Sequence, residues 1–199
     1  MSIVGHTALK HAANKFGNLG SGEVLDKLNR NVEKILMQNN KTAVKDGMDI
    51  SMLIVDILNK NVNFSGANNP VYIVRKKEEG ELILNNVTHT PNISNDKYNL
   101  YEIKGDKQPI GAFENRKNYT THNFTLSNSD TLYIFTDGYA DQFGGVNNKK
   151  FMYKSFKELL LRIQDKNMQQ QEEILENTIN DWRGGMEQID DVLVIGVRL

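Results

Sequence analysis

The residues Tyr133-Ile134-Phe135 form an apolar run that leads through Thr136 into Asp137-Gly138-Tyr139-Ala140-Asp141. A carboxylate delivered at a strand end is held by rigid backbone, where a hard cation can use its oxygens. Gly138 lets the chain turn away and leaves room for a metal, a water or a phosphate. The same Asp-Gly pair also makes an ordinary turn, and spacing alone does not separate the two readings. A second candidate is Gln188-Ile189-Asp190-Asp191, just ahead of the apolar Val192-Leu193. Two adjacent acids at the mouth of a core strand repel each other and are costly to desolvate. A divalent cation removes both penalties, and so does a solvated loop end. Two such segments in one chain favour the cation, because a metal draws oxygens from distant parts of a sequence. Asp46-Gly47-Met48-Asp49 is a weaker acidic candidate that reads equally well as a turn before a strand.

Other chemistries are excluded by what is missing. The 199 residues include no Cys, which removes thiol nucleophiles, disulfides and thiolate metal sites. No phosphate-cradling Gly-rich loop and no HExxH motif occurs. His6 and His11 are off the spacing of a helical metal pair, and His89 and His122 lie in polar segments that read as surface. Lys149-Lys150, with Lys154, reads as a solvated helix entry. With 24 basic and 25 acidic residues the net charge is -1, so no global basic field exists to hold nucleic acid or an anionic membrane. No signal-like leader is visible, and the longest apolar stretches fall far short of the ~20 residues that span a bilayer. The expectation is one cytoplasmic domain covering residues 1–199.

These candidates need elements to position them. Ile3, Ala8 and Ala12 suggest a first helix ended by Gly17 and Gly20. Ser21 is a plausible N-cap for a second, in which Val24, Leu25, Leu28, Val32, Ile35 and Leu36 fall at helical spacing through Met37. The pattern then changes to period two. Met48–Leu58 is apolar on both faces, as in a well-buried strand. Val62–Ser65 returns, and Val71–Arg75 resumes after Gly66–Pro70. Glu81–Leu84, Leu100–Ile103, Tyr119–Leu126 and Thr131–Phe135 are further strand candidates. Asn85–Lys97 is polar and unpatterned and reads as an exposed loop. Two helices follow, one with Phe156, Leu159, Leu160 and Ile163 on a face, the other with Met168, Leu175, Ile179 and Trp182. Gly184-Gly185 stops the second, and Asp191–Leu199 reads as a buried strand. Helices at both ends with strands between predict an α+β fold with an antiparallel sheet.

In their order, these segments resemble the bacterial PPM-type serine/threonine phosphatases of the stage II sporulation protein E group. The most specific stretch is Asp130–Asp141 (DTLYIFTDGYAD) with Gln142-Phe143-Gly144-Gly145. Met1–Gly5, like the start of the group's first long helix, with Asp46–Asp56, Phe64–Pro70, Lys104–Gly111 and Gln188–Asp191, completes the set. The resemblance implies a sandwich of two antiparallel β-sheets flanked by helices, with two Mn or Mg ions at one edge. It places Asp137 and Asp190 on catalytic positions and Asp137, Gly138, Asp190 and Asp191 at the metal site. Asp191 orients the neighbouring ligand or an outer water, and Asp141 acts similarly or is a surface charge. The implied reaction is hydrolysis of phosphoserine or phosphothreonine by a metal-activated water, on a phosphorylated regulatory protein of the anti-sigma-factor antagonist type.

One family feature is not matched. The Asp-x-x-Gly-His-Gly motif, which supplies the carboxylate bridging the two metals, has no counterpart, since Ser2 stands three before Gly5. The reading is an N-terminally truncated domain that lacks its leading strands. Sheet edges left open in this way invite self-association, and the activity of the chain alone is in doubt. The alternative is a non-catalytic phosphatase-like module that binds a signalling partner.

Overall fold

The structure is a computed structural model that describes residues 19–39, 47–111 and 113–199. The expected first helix, His6, His11 and Asp46 lie outside them. Helix α1 (Ser21–Asn39) is followed by β1 (Gly47–Met48), β2 (Ile50–Asp56), β3 (Asn61–Ala67), β4 (Val71–Lys76), β5 (Leu82–Leu84), β6 (Val87–His89) and β7 (Ile93–Ser94). Next come β8 (Tyr98–Ile103), β9 (Ile110–Gly111), β10 (His122–Thr125) and β11 (Thr131–Phe135). The chain ends with α2 (Gly138–Asp141), β12 (Phe143–Gly144), β13 (Lys149–Lys150), α3 (Tyr153–Arg162), α4 (Met168–Arg183) and β14 (Val194–Arg198). These elements group into two compact units that exchange segments along the sequence, at Pro70/Val71, Ile103/Lys104 and Thr125/Leu126.

In the first unit, Val24, Leu25, Leu28 and Val32 form the buried stripe of α1, as their spacing predicts. Leu25, Leu28 and Val32 pack with Ala67, Ile110 and Tyr119. The cap differs from expectation. Gly20, not Ser21, opens the helix: its carbonyl accepts from Val24, and Glu23 reaches back to accept its N–H at 3.0 Å. The Ser21 hydroxyl is instead hydrogen-bonded to that of Ser65. Strands β2, β3 and β10 pair antiparallel in that order. The expectation of a well-buried strand over Met48–Leu58 is corrected. Among the described residues β2 is an outer strand, and none of its residues is buried. Apolar character on both faces does not reveal whether a strand has one neighbour or two.

The second unit is built on a five-stranded antiparallel sheet in the order β14-β11-β4-β8-β7. Tyr72, Val74, Leu100, Tyr133 and Phe135 project from one face into a core shared with α3 and α4. Aromatic rings dominate it: Phe135 meets Phe156 edge-on at 5.0 Å and Tyr72 at 4.6 Å. Helix α4 starts on a capping box between Asn167 and Gln170, and Gly184 at φ 54° stops it, as the Gly-Gly pair predicts. Two expectations fail here. The Asn85–Lys97 segment holds strands β6 and β7 in place of the expected loop, and β6 pairs with β5 through the two-residue turn Asn85-Asn86, both at positive φ. The last strand, β14, is an outer strand among the described residues, and Ile195 and Val197 are 43% and 41% exposed. The fold is α+β with antiparallel sheets and flanking helices, the class expected.

Candidate active site

Strand β11 carries the first predicted acid to its place. Its pairing with β14 ends at Phe135↔Val194, with Phe135 locked among aromatic rings. The chain then enters the single turn α2, in which the Asp137 carbonyl accepts from the Asp141 N–H at 2.9 Å. Tyr139 fixes this turn by stacking on Phe156 at 4.6 Å and donating its hydroxyl to the Leu175 carbonyl at 2.8 Å. Asp137, two residues earlier, stays exposed at the surface.

The second predicted pair arrives from the other direction, on the segment between α4 and β14. Buried Gln142 donates to the Glu187 carbonyl at 3.0 Å, and its own carbonyl accepts from the Trp182 indole at 3.1 Å. Gln188 donates to the Asp190 carbonyl at 2.9 Å. The Asp190 carboxylate accepts the Asp191 N–H at 2.7 Å, which sets its direction.

The two segments meet at Thr136 and Gly138. The Thr136 N–H donates to the Leu193 carbonyl at 3.0 Å. Its hydroxyl donates to the Asp191 carbonyl at 2.7 Å and accepts from the Leu193 N–H at 2.9 Å. A Cβ on Gly138 would lie 2.5 Å from the Asp191 carbonyl oxygen and 3.0 Å from its carbon. Backbone therefore presses on Gly138, and no side chain has space there. Asp137, Gly138, Asp190 and Asp191 are thus brought to one junction, with all three carboxylates on exposed residues.

Asp141 is drawn elsewhere, into an ion pair with Lys150 at 2.9 Å. Lys149 and Lys150 form strand β13 of a hairpin, not a helix entry. Asp49 accepts from the Asn68 amide at 2.7 Å in the first unit. His89 and His122 are half-buried and not plain surface residues: His89 is bonded to the Glu102 carbonyl, and His122 lies against Phe64 at 6.0 Å between ring centres. Sequence reasoning missed Thr136, Gln142 and Tyr139. Thr and Tyr are ordinary strand residues beside an apolar run, so nothing marks their side chains as ties between segments.

Hard carboxylate oxygens are the donors that Mg and Mn take, and such ions are commonly held by one or two carboxylates, with waters and substrate phosphate oxygens completing the shell. Asp137 and Asp190 fit that requirement in kind and number. Among the described residues, no group of three His, Cys, Asp or Glu side chains is placed to hold an ion by itself. No helix among them is long and apolar enough to cross a membrane.

Comparison with known proteins adds to this geometry. The family model for stage II sporulation protein E matches residues 2–199. The structure is similar to the SiaA-PP2C domain of Pseudomonas aeruginosa, with a TM-score of 0.78 at 22% identity, covering 99% of this chain and 68% of that one. It is also similar to the PP2C phosphatase domain with a fragment of the regulatory domain of the cell fate determinant SpoIIE from Bacillus subtilis. There the TM-score is 0.61 at 15% identity, covering 98% of this chain and 49% of that one. The phosphatase domain of the same determinant, in a crystal form without domain swapping, gives 0.58 at 13% identity, with 99% and 73% covered. A search of curated protein sequences gives no match.

Proposed function

The chain belongs to the stage II sporulation protein E family, and from that premise we infer that its acidic junction serves a metal-dependent protein phosphatase. The fold is that of PP2C-type phosphatase domains. The observation that carries the reading is the Thr136–Asp191 tie, which sets Asp137 and Asp190 at one place from distant parts of the sequence. Asp137 and Asp190 would hold Mn or Mg, with Gly138 and Asp191 shaping the site through backbone. A pair of such ions supplies an activated water and neutralises phosphate oxygens during in-line displacement. The chain's own part is to present two carboxylates on fixed backbone, so that little reorganisation remains when phosphate arrives. The substrate class is a phosphoserine or phosphothreonine of a regulatory protein, of the anti-sigma-factor antagonist type by family analogy.

The test is a manganese titration followed by the spin-resonance signal of free Mn, with phosphate release from a phosphoserine peptide measured in parallel. Saturable binding and phosphate release that stops on adding EDTA are expected. Binding without release would favour the non-catalytic partner-binding module, and no binding would refute the metal site.

We also propose self-association. Strands β2 and β14 each have an unpaired side among the described residues, and Ile54, Ile195 and Val197 are exposed there. Open apolar edges are templates for pairing with another chain. Sedimentation velocity should show a mass above monomer that rises with concentration, and a constant monomer mass would contradict it.

A further inference from the structure

We propose that Thr136 is a positioning residue whose hydroxyl sets the relation between the two carboxylates of the site; this rests on reading Asp137 and Asp190 as metal ligands. Beyond Phe135↔Val194 the regular β11–β14 ladder ends. One further backbone bond, Thr136 N–H to the Leu193 carbonyl, crosses between the strands there. The hydroxyl then acts in place of backbone, receiving the Leu193 N–H and giving its own proton to the Asp191 carbonyl. The hydroxyl thus spends its one donor and one of its two acceptor lone pairs on this segment.

The sequence positions make this tie consequential. Thr136 directly precedes Asp137, and Asp191 directly follows Asp190. Asp191 also supplies the N–H that orients the Asp190 carboxylate at 2.7 Å. Thr136 therefore acts on Asp190 through Asp191, and on Asp137 through the adjoining peptide. Side chains that orient metal ligands in this way typically change metal affinity about 10–100-fold when removed.

Thr136→Val deletes both hydroxyl bonds, and Thr136→Ser keeps both. Manganese affinity of the full chain, read from the spin-resonance signal of free Mn, should fall about 10–100-fold in Thr136→Val. Thr136→Ser should restore affinity to within about threefold of the original, as retention of both ligand-orienting bonds implies. If the valine methyl, forced against the Asp191 carbonyl, prevents folding, Thr136→Ala removes the hydroxyl without that clash and carries the same expectation. A purely structural role predicts a lower thermal midpoint in EDTA with unchanged manganese affinity, and that outcome would overturn the proposal while leaving the metal site standing. Absence of manganese binding by the unsubstituted chain would overturn the metal reading and this proposal together.

Discussion

Gly138→Ala should cost the site heavily, because the atoms in the way are the backbone of the Asp190-Asp191 segment itself. The new Cβ would sit 2.5 Å from the Asp191 carbonyl oxygen, 3.0 Å from the Asp191 carbonyl carbon and 3.4 Å from the Asp190 carbonyl carbon. A flexible side chain could swing aside, but a carbonyl can move only with its segment. Asp190 and Asp191 must then retreat from α2, and the Thr136–Asp191 bond at 2.7 Å lengthens with them. A displacement near 1 Å at a catalytic constellation costs roughly 100-fold in rate, and overpacking costs about 1–3 kcal/mol in stability. Phosphate release should fall by about that factor of 100, and manganese affinity by about 10–100-fold. Gly185→Ala is the control, since nothing lies within 4 Å of a Cβ there, and it should leave both readouts unchanged. Equal loss in the two variants would mean that the Gly138 contact is not what holds the site.

This contact also marks where sequence reading stops. Thr131–Phe135 followed by Asp137 is legible as a strand that ends in a carboxylate, because a β-rich apolar run and an Asp-Gly pair are local signals. Asp190-Asp191 ahead of β14 is legible for the same reason. What brings them together is not local: Gly138 meets Asp191 only because β11 and β14 are neighbours in the sheet, and pairing partners leave no trace in strand composition. The same limit explains the outer positions of β2 and β14. Ile50–Val55 and Val194–Val197 read as interior strands because apolar content reports affinity for a core and not the number of neighbours. The return strand β6, after the Asn85-Asn86 turn, is hidden differently. Polar residues on exposed strands lose the alternation that identifies a strand, while Asn at positive φ is the turn chemistry that remains visible.

The largest loss of stability is expected from Asp130→Ala, at a pair whose partners are 55 residues apart and equally hidden from sequence reading. Asp130 is fully buried, and the Arg75 guanidinium lies against it with Nη2 at 2.6 Å and Nε at 3.1 Å from both carboxylate oxygens. Arg75 also donates to the Glu81 carbonyl, and Ser127 donates its N–H to Asp130 at 2.8 Å. Burial nevertheless holds the Asp130 carboxyl above its ordinary value, outweighing the pull of Arg75 and of the Ser127 N–H in the other direction. The sign follows from linkage. A carboxyl raised in the fold contributes stability that is present below its unfolded value and is lost as pH rises through its folded value. Burial thus works against ionisation of Asp130, yet removing this side chain is severe, because buried Arg75 loses the carboxylate that lies against it. Breaking such a pair costs about 3–5 kcal/mol, which at ~2–4 °C per kcal/mol for a chain of this length lowers the thermal midpoint by about 6–20 °C. Arg75→Met combined with Asp130→Leu should recover most of that loss, since neither charge is then left buried alone. It should also remove the decline in stability as pH rises through the folded value of Asp130. A double variant no more stable than Asp130→Ala would show instead that the hydrogen bonds to Glu81 and Ser127, and not the stranded charge, carry the cost.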